Sequence, residues 1–281
     1  MKTLKILFPT DFSDPASLAL RYTLQFANGN YTTIEMIHML GTPAQWYEPT
    51  GVMAENTKSL VEIAKTKIRK QYEESMAQIE TKGMLDRDPS VKYTLEYGEP
   101  VDYISAYQKI NNFDFVALGT TGEAGKAFGS FASNLLMRVN CNVLVIPDSC
   151  EYREIRNIVF ATDFKDSDPY YITEMLRIVE PFQPTIHFVH VTNDKGGPKG
   201  IGKEGLLQYL RDNHTTITCK IHEVNHENIE EGILEFSDHV QADLISMVAP
   251  KYGVIKTLLH RSHTKKMASI TTIPLLVLKE K

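Results

Sequence analysis

Short apolar runs alternate with amphipathic segments along the whole chain. In the first half the runs lie near residues 3–8, 32–39, 90–97, 113–118 and 142–147, and they are rich in Ile, Val, Leu and Phe. Nearly continuous apolar runs of this length are typical of strands that are covered on both faces of a parallel sheet. Apolar residues at helical spacing lie between the runs, so the pattern predicts strands joined by crossover helices.

The second half of the chain repeats the first. The stretch ILFPTDFSDP at 6–15 returns as IVFATDFKDSDP at 158–169. Three further runs recur in the same order: TIEMIHML (33–40) as TIHFVHVT (185–192), FDFVALG (113–119) as ADLISMV (242–248), and CNVLVIPD (141–148) as TIPLLVLK (272–279). A repeat of this length predicts two copies of one domain.

The predicted fold class is α/β, with two tandem doubly wound parallel sheets, each Rossmann-like with five strands in the order 3-2-1-4-5. The polar connector PDSCEYRE predicts domain boundaries at 1–148 and 154–281. The halves differ mainly at their second helix. Residues 52–82 can form one long charged helix that covers the sheet, whereas the second half offers only the short segment GKEGLLQYLRDN.

Composition and charge exclude several classes of protein. The chain has 281 residues, of which 42% are hydrophobic and 23% charged, and its net charge is −5. Neither half has the excess of basic residues expected of a general nucleic-acid binder, so we expect no nucleic-acid partner. No apolar run approaches the roughly 20 residues that cross a bilayer, so we expect no membrane association. Three scattered cysteines without a CxxC motif indicate a reduced, cytoplasmic protein.

Two loops are predicted to face each other between strands one and four, where the winding of the sheet reverses and α/β proteins bind ligands. PTDFSD at 9–14 supplies the carboxylate of Asp11, and GTTGEAGKAFGS at 119–130 supplies four glycines and Ser130 as a predicted helix N-cap. Glycine lets backbone N–H groups approach an anion, and a helix N-terminus adds partial positive charge. The two loops therefore predict a nucleotide site, with phosphates on the glycine loop and the base and ribose near Asp11.

A plainer interpretation of these loops stays open. Glycine after a strand is common in turns, and Asp before a helix is commonly only a cap. Two other phosphate motifs are excluded. The GK at 125–126 lacks both the first glycine and the final Ser or Thr of a Walker loop, and no GxGxxG follows the first strand.

The chain resembles the universal stress protein family in its tandem, two-domain form. The resemblance covers nearly the whole chain and rests on ILFPTDFSDPASLALRYTLQFA, the HML after strand two, the GEP before helix three, FDFVALGTTG, and FGSFASNLL before NVLVIP. It implies an adenine nucleotide alpha hydrolase-like fold. In nucleotide-binding members, ATP lies over the first acidic turn, a residue after strand two and a G-x2-G-x9-G-[ST] loop. The contacts implied by position are Pro9, Thr10, Asp11, Met39, Leu118, Gly119, Gly122, Gly129, Ser130 and Phe131.

Two departures from the family pattern change what is expected of each domain. Only six residues separate Gly122 from Gly129, against nine in the family pattern, so the γ-phosphate end is expected to be held less well. In the second domain VAPKYGVIKTLLHRS (248–262) replaces the glycine loop; β-branched Val248 disfavours positive φ and Pro250 lacks an N–H. We therefore expect ATP or another adenine nucleotide, with or without Mg²⁺, in the first domain and none in the second.

One stretch matches a metal-binding motif. HEVNH at 222–226 fits the HExxH pattern of zinc peptidases, which requires a helix. The repeat predicts a strand here, in which the two histidines lie roughly 13 Å apart, too far to share one zinc ion. We expect no metal site, and an adventitious one that includes Cys219 is the alternative.

Other residues carry a structural interpretation first and a functional alternative second. His38 and His190 fall inside apolar strands and are expected to be hydrogen-bonded core histidines rather than catalysts. Trp46 and Tyr47 precede the long helix in a predicted surface loop, with a lid over the base as the alternative. The basic cluster within 251–266 is expected to be a solvated helix face, with an anion site or an acidic partner as the alternative.

No catalytic residues are assigned. The sequence offers no activated nucleophile with a base, and no pair of magnesium-binding carboxylates beside the glycine loop. The expected function is a stress-response sensor or regulator that binds adenine nucleotide in its first domain and thereby changes a surface offered to protein partners. The alternatives are a tandem scaffold without nucleotide and a slow ATP hydrolase. The resemblance also implies an intrachain pseudo-dimer through the last strand of each half, and a homodimer stays open.

Overall fold

The structure, a computed structural model, describes residues 3–28, 32–41, 53–81, 89–120, 129–164, 168–192, 202–213, 216–249 and 257–279. The chain divides into two compact units, Met1–Tyr152 and Arg153–Lys281. Within the described stretches, no helix is both long enough and apolar enough to cross a membrane.

The described residues of the first unit alternate between strands and helices. In chain order these are β1 Leu4–Pro9, α1 Asp14–Ala27, β2 Thr32–Leu40, α2 Met53–Glu80, β3 Ser90–Tyr97, α3 Pro100–Ile110, β4 Phe115–Gly119, α4 Ser130–Arg138 and β5 Asn142–Ile146. The strands are parallel and pair in the order β3-β2-β1-β4-β5, as the sequence predicts. This order puts the carboxyl ends of β1 and β4 side by side.

The second unit has the same plan. Its elements are β6 Asn157–Ala161, α5 Asp168–Val179, β7 Thr185–Thr192, α6 Gly202–Asn213, β8 Thr218–Asn225, α7 Ile229–His239, β9 Leu244–Ala249, α8 Thr257–Ile270 and β10 Leu275–Lys279. Its parallel strands pair in the order β8-β7-β6-β9-β10. The repeat in sequence is therefore a repeat of fold.

The central strands are buried because helices cover both faces of each sheet. Ile6, Leu7 and Phe8 of β1 are at most 1% exposed. In the first unit α1 packs against α2, and α3 packs against α4. Burying an apolar side chain of this size stabilises the fold by about 1.5–3 kcal/mol, which explains why such runs have almost no polar positions.

Helix starts follow the local capping chemistry, with one difference from the sequence prediction. Ser13 is the N-cap of α1, and its hydroxyl accepts a hydrogen bond from Ala16 N. The prediction that Ser130 caps α4 is wrong: Gly129 is the N-cap, and Ser130 is the first helical residue. The carbonyl of Gly129 already accepts from Ser133 N, which starts the helix one residue after Gly129 without a side-chain cap.

One buried position of the sheet carries opposite chemistry in the two units. Glu35 on β2 accepts hydrogen bonds from Thr94 Oγ1 at 2.5 Å, from the Tyr107 hydroxyl at 2.6 Å and from Lys92 Nζ at 3.2 Å. Burial alone would raise the pKa of Glu35, but these donors lower it below its ordinary value. The carboxylate is therefore ionised, and it accepts hydrogen bonds from three side chains, one of which comes from α3.

In the second unit the repeat places His187 at the position of Glu35. Its Nδ1 lies 3.2 Å from Nε2 of His222, and both rings pack beside Phe236 of α7. Burial, together with the charges of His222 and Lys220, lowers the pKa of His187 to about 4. The ring is therefore neutral at pH 7, where its counterpart Glu35 is charged.

Candidate nucleotide site

The turn after β1 is held in a conformation that points its polar groups toward the end of the sheet. Thr10 N donates to Ile37 O at 2.9 Å, which extends the β1–β2 pairing by one residue. Phe12 then adopts a left-handed conformation with φ 67°, and its N–H donates to Thr10 Oγ1 at 3.0 Å. A bulky residue rarely has positive φ, so this side-chain hydrogen bond is part of what maintains the turn. Asp11, at its exposed tip, accepts from Ser13 N.

His38 of β2 supports the same turn from the neighbouring strand. Its Nδ1 lies 2.8 Å from Thr10 O, and its ring lies 4.2 Å from the ring of Phe12. Burial lowers the pKa of His38, although the hydrogen bond to Thr10 and the charge of Asp11 act in the opposite direction. A neutral ring that donates from Nδ1 leaves Nε2 as an acceptor. The interpretation of His38 as a hydrogen-bonded strand histidine is confirmed, and the ring also lines a cavity.

The opposite side of the cavity is formed where β4 ends and α4 begins. Gly129 N donates to Thr120 O at 2.9 Å, so the two ends of the intervening loop lie next to each other. Thr120 Oγ1 in turn donates to Asp148 Oδ1. A helix leaves its first N–H groups without intrahelical partners, and the first turn of α4 borders the cavity through Phe131 and Ala132.

A cavity of about 270 Å³ lies between these two walls, at the carboxyl ends of β1, β2 and β4. Eight of the ten positions implied by the resemblance line it: Pro9, Thr10, Asp11, Met39, Leu118, Gly119, Gly129 and Phe131. Ser130 does not, because it is the exposed first residue of α4. Gly122 lies outside the described residues, as do the rest of the loop at 121–128 and the lid candidates Trp46 and Tyr47.

Sequence reasoning missed several residues that line the cavity: Ala16, Ile37, Pro100, Ile104, Thr120 and Ala132. Most of these residues are apolar, so they shape the cavity wall and offer no side-chain hydrogen bonds to a ligand. The GEP before the third helix contains Pro100, and the other stretches that carry the family resemblance contain Ala16, Thr120 and Ala132, but nothing marks these residues as contacts. Ile104, one turn further along α3, looks like any other core position in the sequence.

Helix α2 reaches the acidic turn through two side chains that the sequence did not single out. Gln71, which is buried, accepts a hydrogen bond from Thr10 Oγ1 at 2.7 Å and donates to Ser17 Oγ at 2.9 Å. One helical turn earlier, Lys67 Nζ lies 5.9 Å from the centre of the Phe12 ring, within the range of a cation–π contact. These contacts join the long helix to the floor of the cavity.

The second unit has the same turn after its first strand. Phe164 has φ 54° and donates its N–H to Thr162 Oγ1 at 2.9 Å. His190 Nδ1 lies 3.0 Å from Thr162 O, and its ring lies 5.0 Å from that of Phe164. The acidic turn and its histidine support are therefore a property of the fold that both copies share.

The second unit differs on the side of the crevice formed by its third helix. Val191 stands at the position of Met39, and its Cγ1 would lie only 2.9 Å from a Cβ added to Gly232 of α7. The side chain of His226 is equally close to Gly232, with its Cβ 2.8 Å from the same point. Only glycine permits this approach. Helix α7 and the His226 side chain therefore pack against the end of β7, at the place where α3 lines the cavity in the first unit.

A buried ion cluster ties the two helices of this wall together. Glu230 of α7 is 4% exposed and accepts from His263 Nδ1 at 2.8 Å and from Lys266 Nζ at 3.1 Å. The repeat places His263 at the position of Phe131, which borders the cavity in the first unit. Of the other basic-cluster positions, Lys265 is an exposed residue of α8, whereas Lys251, Lys256 and the side chains of His260 and Arg261 lie outside the described residues.

The HExxH match is not a zinc motif in this structure. HEVN lies in β8, as predicted, and His226 follows the strand. His226 Nδ1 accepts from Asn228 N at 3.0 Å, whereas His222 contacts His187 on the adjacent strand. Among the residues that the structure describes, no group of three His, Cys, Asp or Glu side chains could hold a metal ion.

Proteins of known family and known structure are similar to this chain. A sequence model of the universal stress protein family matches residues 2–147. The chain belongs to the universal stress protein family. With two sheet units in one chain, it is the tandem form of that family.

Solved structures similar to this universal stress protein share its fold at low sequence identity. A universal stress protein from Archaeoglobus fulgidus matches with a TM-score of 0.69 and 17% identity over 99% of this chain and 98% of that chain. A protein of unknown function from Pseudomonas aeruginosa matches with a TM-score of 0.59 and 11% identity over 98% and 92%. No curated protein matches this chain in sequence.

Proposed function

We propose that the first domain binds an adenine nucleotide in the crevice between the acidic turn and α4, and that the protein is a cytoplasmic stress-response sensor or regulator. The observation that carries the proposal is the cavity, which eight of the ten implied contact positions line. Membership of the universal stress protein family supports the stress-response role. None of the three cysteines forms a disulfide, which supports a reducing compartment.

The chemistry of the cavity suits a purine nucleoside. Met39, Ile104 and Phe131 give it an apolar lining on which a flat base can pack. The acceptor Nε2 of His38 suits an exocyclic amine, and the carboxylate of Asp11 suits ribose hydroxyls. Its volume of about 270 Å³ is near the lower end of small-molecule sites, which fits a base and ribose with the phosphates lying beyond it.

The phosphate side of the proposal rests on the junction between β4 and α4. Gly119 and Gly129 bring backbone close to the cavity without side chains in the way, and nothing lies within 4 Å of a Cβ added to Gly129. A helix N-terminus attracts anions through its free N–H groups and its dipole. We propose that the phosphates lie along this first turn, where Mg²⁺ would accompany a triphosphate.

The second domain acts in this proposal as a scaffold. Its acidic turn is intact, but Val191, Gly232 and His226 pack together where the first domain leaves room for a base. The ion cluster of Glu230 with His263 and Lys266 holds α7 and α8 in place. Nucleotide occupancy of the first domain would then change the surface that the protein offers to partners, while the second domain stays constant.

The proposal is tested by purifying the full chain without added nucleotide and analysing the denatured sample by mass spectrometry, then titrating it with ATP, ADP and AMP. We expect adenine nucleotide in the sample and saturable binding by the stripped protein. Asp11→Ala should weaken binding about tenfold or more, because it removes a charged acceptor. Asp14→Ala is the matched control, since Asp14 is exposed in the first turn of α1 and does not line the cavity.

Other outcomes identify the alternatives. No copurified nucleotide and no thermal shift with millimolar ATP and Mg²⁺ would leave the tandem scaffold that acts through protein contacts alone. Steady phosphate release that Asp11→Ala abolishes would indicate a slow ATP hydrolase. Binding that survives Ala132→Trp, which fills the cavity wall, would place the nucleotide elsewhere and contradict the proposal.

A further inference from the structure

A second hollow in the first unit lies away from the crevice, between α2 and the outer strands of the sheet. The hollow has a volume of about 430 Å³. It is enclosed by four residues from one face of α2 and by four residues of β2 and β3. We call it the α2 groove, and it is lined by Val61, Lys65, Ile68, Arg69, Leu40, Tyr93, Leu95 and Tyr97. None of these residues lines the nucleotide crevice.

The floor of the α2 groove is apolar. Ile68 is 1% exposed and Leu40 is 8% exposed, so both are fixed by the core. Leu95 lies above them on the edge strand β3 and is half-buried. The ring of Tyr93 is supported by that of Tyr72, which it meets edge-on with centroids 6.1 Å apart. The row of Leu40, Ile68 and Leu95 offers a hydrocarbon chain an apolar surface to pack on.

The rim of the α2 groove is cationic. Its two charged lining residues are Lys65 and Arg69, and no acidic residue is among the lining residues. Lys65 is paired with Glu62 at 2.8 Å, whereas the described residues supply no ion pair to Arg69. Burial raises the pKa of Tyr93, as do Tyr72 and the charge of Glu73, whereas Arg69 lies close enough to act in the opposite direction. A guanidinium beside a protonated phenol offers several donors to an anionic head group.

The groove depends on the extra length of α2, for which the sequence gives no role beyond covering the sheet. Helix α2 has 28 residues, whereas its counterpart α6 has 12. The face that carries Val61, Lys65 and Arg69 comes from the first half and middle of this helix. The longer helix therefore gives the first unit a wall at this place, and that wall carries the cationic residues Lys65 and Arg69.

We propose that the α2 groove binds a single-chain aliphatic carboxylate. The hydrocarbon chain lies along Leu40, Ile68 and Leu95, and the carboxylate is held by the guanidinium of Arg69 at the rim. Arginine matches carboxylate geometry with two parallel hydrogen bonds, and burial of each methylene of the chain adds to the binding free energy. This site is independent of the proposed nucleotide site.

The test uses the full chain and sodium decanoate below its micellar concentration, followed by calorimetry and by ligand-observed NMR. We expect saturable binding of one decanoate per chain. Arg69→Gln should weaken it about tenfold, whereas Lys70→Gln, its exposed neighbour outside the groove, should leave it unchanged. Decyltrimethylammonium, with the same chain and the opposite charge, should bind at least about tenfold more weakly.

Three results would overturn the proposal: no saturable decanoate binding, equal binding of the cationic amphiphile, or full binding by Arg69→Gln. Leu95→Glu places a charge in the α2 groove and should abolish binding. Circular dichroism of this variant shows whether the chain is still folded. Asp11 does not line the α2 groove, so Asp11→Ala should leave decanoate binding intact. Failure at the α2 groove is therefore distinguishable from failure at the nucleotide crevice.

Discussion

The side-chain oxygen of Gln71 on α2 lies 2.7 Å from the hydroxyl oxygen of Thr10 and accepts its hydrogen bond. The same amide donates to Ser17 at the start of α1. Thr10 lines the cavity, so one buried side chain joins the long helix, the acidic turn and the first helix. A change of conformation in the turn therefore has a direct route to α2.

Replacing Gln71 with alanine should destabilise the first unit and weaken nucleotide binding together. The substitution leaves the buried Thr10 hydroxyl without this acceptor, which costs about 1–3 kcal/mol. Urea unfolding and ATP titration measure the two effects. Gln78→Ala, at an exposed position of the same helix, is the matched control and should change neither. Unchanged stability in Gln71→Ala would show that the hydrogen bond is not maintained in solution.

The glycines at 98 and 129 should respond oppositely to substitution. Gly98 has φ 129°, a conformation that residues with a side chain rarely adopt, so Gly98→Ala should cost about 1–3 kcal/mol. Gly129 has an ordinary φ and nothing within 4 Å of an added Cβ. Gly129→Ser should therefore gain a few tenths of a kcal/mol from a better N-cap. Thermal unfolding of the two variants checks the contrast, and equal losses would contradict it.

Acid should weaken the first unit through Glu35. The folded-state pKa of Glu35 is lowered, so its contribution is present above the unfolded pKa of about 4.3 and is lost as pH falls through the folded value. Tyr107→Phe removes one donor and should cost about 1.5–3 kcal/mol at pH 7. That cost should shrink at acid pH, where the carboxyl is protonated. Unfolding at a series of pH values measures it, with exposed Tyr170→Phe as the control.

The second unit should lose stability in a higher pH window because of His187. Its folded pKa of about 4 lies below the unfolded value, so the fold favours the neutral ring. The contribution of His187 is complete above about pH 6.5 and is lost as pH falls toward the folded value of about 4, where the ring becomes protonated. His187→Phe should flatten this part of the profile. The exposed His239→Phe should keep it, and a flat wild-type profile would refute the assignment.

Much of the fold follows from the sequence because it depends on local patterns. The apolar runs and the repeat predict the strands of the first unit to within two residues and their order, since a continuous run must be covered on both faces. The acidic turn and the glycine positions place most of the crevice in the same way. Ser130 shows the limit: the sequence contains a good capping residue, but the hydrogen bond from Gly129 to Thr120 decides where α4 begins.

The rest depends on contacts between distant residues, which one sequence does not encode visibly. Gln71 bonds to Thr10 across 61 positions of the chain, and nothing distinguishes it from other polar residues of a charged helix. Ile104 becomes a cavity wall only because the fold brings α3 beside the carboxyl ends of the strands. In the second unit, the close approach of Val191 and His226 to α7 depends on Gly232, and a lone helical glycine carries no such signal in the sequence.

The left-handed phenylalanines at positions 12 and 164 have a consequence for engineering. Both copies keep the turn, its threonine and its histidine, so the C-terminal repeat already has one wall of the proposed nucleotide site. An engineered variant would need changes only on the α7–α8 side. A larger residue at Gly232 would push the helix outward, and an uncharged pair would replace Glu230 and His263. The proposed cleft could thus be introduced into the second repeat without changing the first.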